Sequence, residues 1–298
     1  MDKSFLRESC NYIKQKNLIN NSFNLYSFFL IYFFSFIKHS YQIEKTEINN
    51  LRKLNLYSSI DIIIKSNGTQ SILYKDFKSI PSNITINGEE KNITEDFKYF
   101  LTEEENNISI IWNDTLETYS KMFYECSNIT EIHFSIFEDI EIKDMSYMFY
   151  GCSSLESIDF NYINTSYVED MNNMFRYCTA LKSLNLSCFE TSKVKKTQYM
   201  FSNCTNLKYL DLSYFNTSNV SNMQSMFYNC CNLEYLDLSN FETSKVQYMQ
   251  YMFYNCCNLE YLNLSNFETS NVQNMQYMFY NCKNLISLDI SNFNTSKL

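Results

Sequence analysis

Cysteine, aspartate, tyrosine and histidine are the side chains of this sequence that could do chemistry, and the cysteines are strictly spaced. Cys126, Cys152, Cys178, Cys204, Cys230, Cys256 and Cys282 follow one another at 26-residue intervals without a slip. A small apolar side chain recurring in this way belongs to a core, since free cysteine is among the most buried residue types. Two further thiols, Cys231 and Cys257, stand beside this ladder where other periods carry Ser127, Ser153, Thr179, Thr205 and Lys283. They are expected to be exposed neighbours within disulfide reach, bridged if the chain is exported. The sequence holds no C-x-x-C spacing, so the cysteines predict no zinc site.

Catalysis finds little footing. His39 and His133, the only histidines, lie in neither an HExxH motif nor a triad context. Gly68, Gly88 and Gly151, the only glycines, are too scattered to cradle a phosphate. The chain is therefore read as no enzyme, with no cofactor and no metal. A net charge of -9 without a long Lys/Arg run also excludes nucleic acid as the expected partner, because phosphates demand a basic footprint.

Whatever these residues do, a repeat must position them. The methionines at 122, 148, 174, 200, 226, 252 and 278 keep the same 26-residue step, and residues 228–246 recur at 254–272 with only Asp237/Asn263 and Lys245/Asn271 changed. A fixed period of this length marks stacked units. Within one period, Leu207, Leu210 and Leu212 followed by Ser213 predict a short strand with one face buried. Val220, Met223, Met226, Phe227 and Cys230 then fall on one stripe of a helix, with Thr217, Ser218 or Asn219 as its N-terminal cap. The expected fold class is an α/β repeat solenoid, one strand and one short helix per turn, in which residues 26 apart are neighbours in a parallel sheet.

The outward strand positions form columns. Tyr209, Tyr235 and Tyr261 make one, flanked by Ser183 and Ser287. Asp159, Asp211, Asp237 and Asp289 make a second, interrupted by Asn185 and Asn263, and Ser213, Ser239 and Ser265 a third. Tyrosine beside carboxylate and hydroxyl on a rigid sheet is a plausible binding surface, since tyrosine offers contact area at low entropic cost. The alternative is a solvated strand face. Calcium at Asp211 and Asp237 is disfavoured by the intervening asparagines and the lack of a Gly-rich repeat.

The pattern Leu210-Asp211-Leu212-Ser213, Phe215, Thr217-Ser218, Val220, Met223, Met226-Phe227 and Cys230 resembles the BspA-like leucine-rich repeats over residues 119–298, about seven turns with the last cut short. The first repeat departs from it, with His133 in the Asp/Asn column. The resemblance implies a leucine-rich-repeat-like solenoid displayed outside the cell for attachment or recognition.

Upstream, the texture changes. Residues 1–22 are a basic segment, and 23–37 an apolar run that is read as a secretory signal or a signal anchor that tethers the chain to a membrane. Residues 38–54 read as a linker, and 55–118 as a small β-rich capping domain with turns at Asn67-Gly68 and Asn87-Gly88 and with Trp112 packed in a core role at its junction with the first repeat. Together these readings point to a surface or secreted protein that binds a protein or another cell-surface or matrix macromolecule. An intracellular interaction scaffold is the alternative.

Overall fold

The computed structural model describes residues 58–136, 141–160 and 162–298. The expectations for 1–22, 23–37 and 38–54 lie outside the described residues, among which no helix is long and apolar enough to cross a membrane.

Alternating β-branched runs give the first strands. In β1 (Ser58–Ile64) Ile60, Ile62 and Ile64 are buried while Asp61 is exposed, the two-faced pattern of a pleated strand. β2 (Gly68–Ser71), β3 (Asn83–Ile86), β4 (Glu89–Glu90), β5 (Lys98–Leu101) and β6 (Asn106–Trp112) follow. Asn87 and Gly88 join β3 to β4 with φ of 52° and 82°, the left-handed pair that a type I′ hairpin turn needs. Trp112 is buried, donates Nε1–H to the Ser79 carbonyl at 3.0 Å and meets Phe77 edge-on.

β7 (Ile129–Ile136) is the joint between this region and the repeats. It pairs antiparallel with β1, Ile132 opposite Ile62, and parallel with β8 (Ser157–Asp159), Ile132 opposite Ile158. The resulting mixed sheet has the order β4-β3-β6-β1-β7-β8, while β2 pairs with β5 alone.

Beyond β7 each unit lies beside the next at a 26-residue offset. β9 (Ser183–Leu184) pairs parallel with β10 (Tyr209–Leu210), and β11 (Tyr235–Asp237) with β12 (Tyr261–Asn263). Single parallel bridges link Asp144, Asp170, Lys196, Asn222, Tyr248 and Asn274 in one column. Inside, Phe123, Phe149, Phe175, Phe201, Phe227, Phe253 and Phe279 stack ring on ring with centroids 5.4 to 5.8 Å apart. Burying each such ring contributes roughly 1.5–3 kcal/mol. Phe241, Phe267 and Phe293 form a second column at 6.5 Å. The strands do not fuse into one sheet, however: β9–β10 and β11–β12 are separate ladders. They are short because each ends in a turn closed by its own aspartate or asparagine, as described below.

The expected helix is absent from the described residues, and the repeat is therefore not α/β. The segment that should hold it is a run of overlapping turns. Met122, Tyr124 and Cys126 donate their N–H groups three residues back, to Tyr119, Lys121 and Phe123. The intervening Tyr119, Lys121, Phe123 and Glu125 donate outward, to the carbonyls of Asp144, Ser146, Met148 and Tyr150 in the next unit. An α-helix would need every N–H turned to its own segment, four residues back. Left-handed residues enforce the alternation: φ is positive at Lys121 and Glu125, Tyr199 and Asn203, Ser225 and Asn229, Tyr251 and Asn255. Asparagine tolerates that region better than most residues. The apolar stripe was misleading because this spiral also returns Met122, Phe123 and Cys126 to the buried side.

Thr217 caps no helix either. Its buried Oγ1 donates to the Glu242 carbonyl at 3.0 Å and accepts the Glu242 N–H at 2.9 Å, clamping one unit to the next. Thr165, Thr191, Thr243 and Thr269 do the same to Glu190, Asn216, Glu268 and Asn294.

Candidate recognition surface

Strand alternation places the tyrosine column outward. Tyr209, Tyr235 and Tyr261 open β10, β11 and β12 and remain 57%, 51% and 41% exposed, while Leu210, Leu236 and Leu262 behind them are buried. Tyr235 and Tyr261 stack with centroids 4.6 Å apart. Among the described residues Tyr209 does not join that stack; the Lys208 ammonium lies 5.3 Å from its ring centre and 3.0 Å from a Glu234 carboxylate oxygen. Between the two ladders opens a cavity of about 460 Å³, lined by Tyr209, Leu210, Asp211, Tyr235, Asp237 and Ser239 among others. Partial desolvation, followed by the nearby Asp237 and Tyr261, raises the pKa of Tyr235 above the ordinary phenol value.

The carboxylate column has a structural duty that its exposure conceals. Oδ1 of Asp211, Asp237 and Asp289 accepts the N–H of Ser213, Ser239 and Ser291, each at 2.9 Å. Asn185 and Asn263 offer the same oxygen to Ser187 and Ser265 at 3.1 Å. This side-chain-closed turn ends each strand, which is why aspartate and asparagine alternate there. At Asp289 the Ser291 N–H and then its hydroxyl hold the carboxyl below its usual pKa. Asp159 is half-buried in β8 and belongs to the same column. Ser213, Ser239 and Ser265 are thus first of all turn donors. Their positions remain at the surface, fully at Ser213 and Ser265 and partly at Ser239.

The cysteines divide as their spacing predicts, with one correction. Cys126, Cys152, Cys178, Cys204, Cys230 and Cys256 are buried, and Cys282 is half-buried. From Cys152 onward each thiol donates at 3.1 Å to a phenylalanine carbonyl of the preceding unit, Cys230 to Phe201 and Cys256 to Phe227 among them. Burial pushes these thiols up, Cys204 to about 12 and Cys282 to about 11. Cys231 and Cys257 are half-buried rather than exposed, and they are neighbours, since desolvation and then the adjacent Cys257 raise the pKa of Cys231. Each is held as a donor by its own turn, Cys231 to Asn229 Oδ1 and Cys257 to Asn255 Oδ1, both at 3.2 Å.

The family described as "Mycoplasma protein of unknown function, DUF285" matches residues 117–234 and again 200–298. The chain belongs to this family. No curated protein matches it. Among solved structures, the crystal structure of a TLR13–ssRNA13 complex is similar at 21% identity and a TM-score of 0.32, over 55% of this chain and 23% of that one. The chain thus spans about a quarter of that neighbour's length.

The family-matched region carries two further arrays that the sequence reading overlooked. Asn203, Asn229, Asn255 and Asn281 form a side-chain ladder, each Nδ2 donating to the Oδ1 of the unit before, at 2.8 Å between Asn229 and Asn203. Beside it Tyr228, Tyr254 and Tyr280 stack at 4.9 and 4.8 Å, and Tyr251 on Tyr277 at 5.4 Å. Earlier in the stack the Arg176 guanidinium lies 4.6 Å from the Tyr199 ring centre and 5.1 Å from that of Tyr177. The recurrence of Tyr-Asn-Cys at 228–230, 254–256 and 280–282 was the available signal; assigning that stretch to a helix hid it.

Proposed function

We propose that this chain is a non-enzymatic recognition protein of the BspA-like leucine-rich-repeat kind, displayed at the cell surface or secreted. It binds a protein or other surface macromolecule, in adhesion or protein–protein recognition, through the outward strand face. The supporting observation is the exposure of Tyr209, Tyr235 and Tyr261 on successive units, the first two lining a cavity of about 460 Å³ and the third stacked on Tyr235. Rigid aromatic side chains at the rim of a cavity are the usual anchors of an interface. A net charge of -9 favours a protein partner over a nucleic acid. Residues 23–37 would serve as export signal or membrane tether. Beads coated with the chain should attach to target cells, and the Tyr209→Ala/Tyr235→Ala/Tyr261→Ala variant should lose most of that attachment. Equal attachment would remove the tyrosine face from the reading.

An intracellular scaffold is the second reading, under which Cys231 and Cys257 would stay reduced. Protease treatment of intact cells separates the two. Removal of the protein from the surface supports display, whereas full protection supports the scaffold.

A further inference from the structure

The gap between β10 and β11 has a chemistry of its own. Its floor is apolar, made by Leu184, Leu210 and Leu212, and its walls carry the phenol rings of Tyr209 and Tyr235. Asp211 and Asp237 stand at the same rim. Each uses Oδ1 to close its turn. Among the described residues no basic side chain pairs with either: Lys208, whose ammonium lies 5.3 Å from the Tyr209 ring centre, is held by Glu234 at 3.0 Å, and Glu169 and Asp170 hold lysines at 2.6 and 2.7 Å. Aromatic faces beside unneutralised carboxylates make a receptor for an organic cation. The molecule uses the same chemistry internally, with Arg176 over Tyr199 at 4.6 Å and Lys193 over Tyr167 at 3.8 Å.

We infer that this cavity receives an arginine side chain of a protein partner, its guanidinium between the Tyr209 and Tyr235 rings and its N–H groups directed to Asp211 and Asp237. Arginine suits the cavity better than lysine because a planar guanidinium stacks on rings and donates to carboxylates at once, and it is less strongly hydrated. The alkyl stem covers the leucine floor. Charge complementarity favours this occupant, since the chain carries 33 acidic against 24 basic residues. The inference rests on the reading of the strand face as a protein-recognition surface and specifies what that surface selects.

The test is a titration of the full chain, with its tyrosine rings isotopically labelled, by acetyl-Gly-Gly-Arg-Gly-Gly-amide, and by the same peptide with citrulline, which keeps the shape and loses the charge. The arginine peptide should shift the Tyr209 and Tyr235 ring signals saturably and bind about tenfold more tightly than the citrulline peptide. Asp211→Asn/Asp237→Asn should abolish that preference without unfolding, because Asn185 and Asn263 already close the same turn. An unchanged thermal midpoint verifies the fold. Equal binding of the two peptides, unaltered preference in the Asn variant, or no shift at these rings overturns the inference. Should the tyrosine-to-alanine variant lose cell attachment while the arginine peptide fails to bind, the recognition face stands and the arginine receptor falls. Should the peptide bind with charge dependence while the alanine variant still attaches, the receptor stands and the face is not what attaches cells.

Discussion

Asp211 and Asn263 do the same work in different turns, which separates what a carboxylate is needed for from what any side-chain carbonyl supplies. Asp211→Ala should destabilise the chain by about 1 kcal/mol through loss of the Ser213 hydrogen bond, whereas Asp211→Asn should stay within about 0.5 kcal/mol of the parent in urea unfolding. The buried thiols carry a second prediction. Folding raises the pKa of Cys204 from 9.0 to about 12 through desolvation. The folded state therefore keeps a proton that the unfolded chain releases, and this thiol's contribution is intact below pH 9.0 and lost as pH climbs toward 12. Each pH unit in that window costs about 1.4 kcal/mol per such thiol. Thermal midpoints should fall steeply above pH 9.0, and Cys204→Ala should make the decline shallower. The roles of these residues were only half legible in the sequence. Burial of the cysteine ladder follows from its spacing, but an aspartate at an outward strand position reads as a ligand until the N–H it accepts is located.

The turn spiral shows why element type was harder to read than burial. A helix and a chain of overlapping turns bury the same stripe of methionine, phenylalanine and cysteine, so apolar spacing does not distinguish them. The difference lies in where alternate N–H groups go, and in φ values that only the asparagines betray. Two substitutions probe this element and its clamp. Thr217→Val keeps the shape but strips both partners from the Glu242 backbone, and should cost about 1–3 kcal/mol in equilibrium unfolding because two inter-unit hydrogen bonds are lost together. Asn229→Val places a β-branched residue at a φ of 61° and removes rungs to Asn203 and Asn255. It should be more damaging than Asn229→Gly, which relieves the backbone and loses only the rungs.

For the whole molecule, the 26-residue period at which the inter-unit contacts recur is the controlling quantity, and it was fully visible in the sequence. Stacked units interact chiefly with their immediate neighbours. Deleting residues 228–253, one whole period, should leave a folded chain with cooperative unfolding at a modestly lower midpoint. Deleting 228–251 instead shifts every downstream bond by two places and should yield a chain with frayed spectra and no sharp transition. What the sequence did not convey is that the strand ladders separate between β10 and β11, since nothing in the period marks that gap. The start of the stack is a different matter: β7 is bound on one side by an antiparallel strand and on the other by a parallel one. That arrangement gives the array a fixed origin, so copying errors downstream that insert or drop a whole period leave the beginning undisturbed. Inheritance can then lengthen or shorten the protein in quantised steps, and the near-duplicate passages at 228–246 and 254–272 are what a recent step of that kind would leave behind.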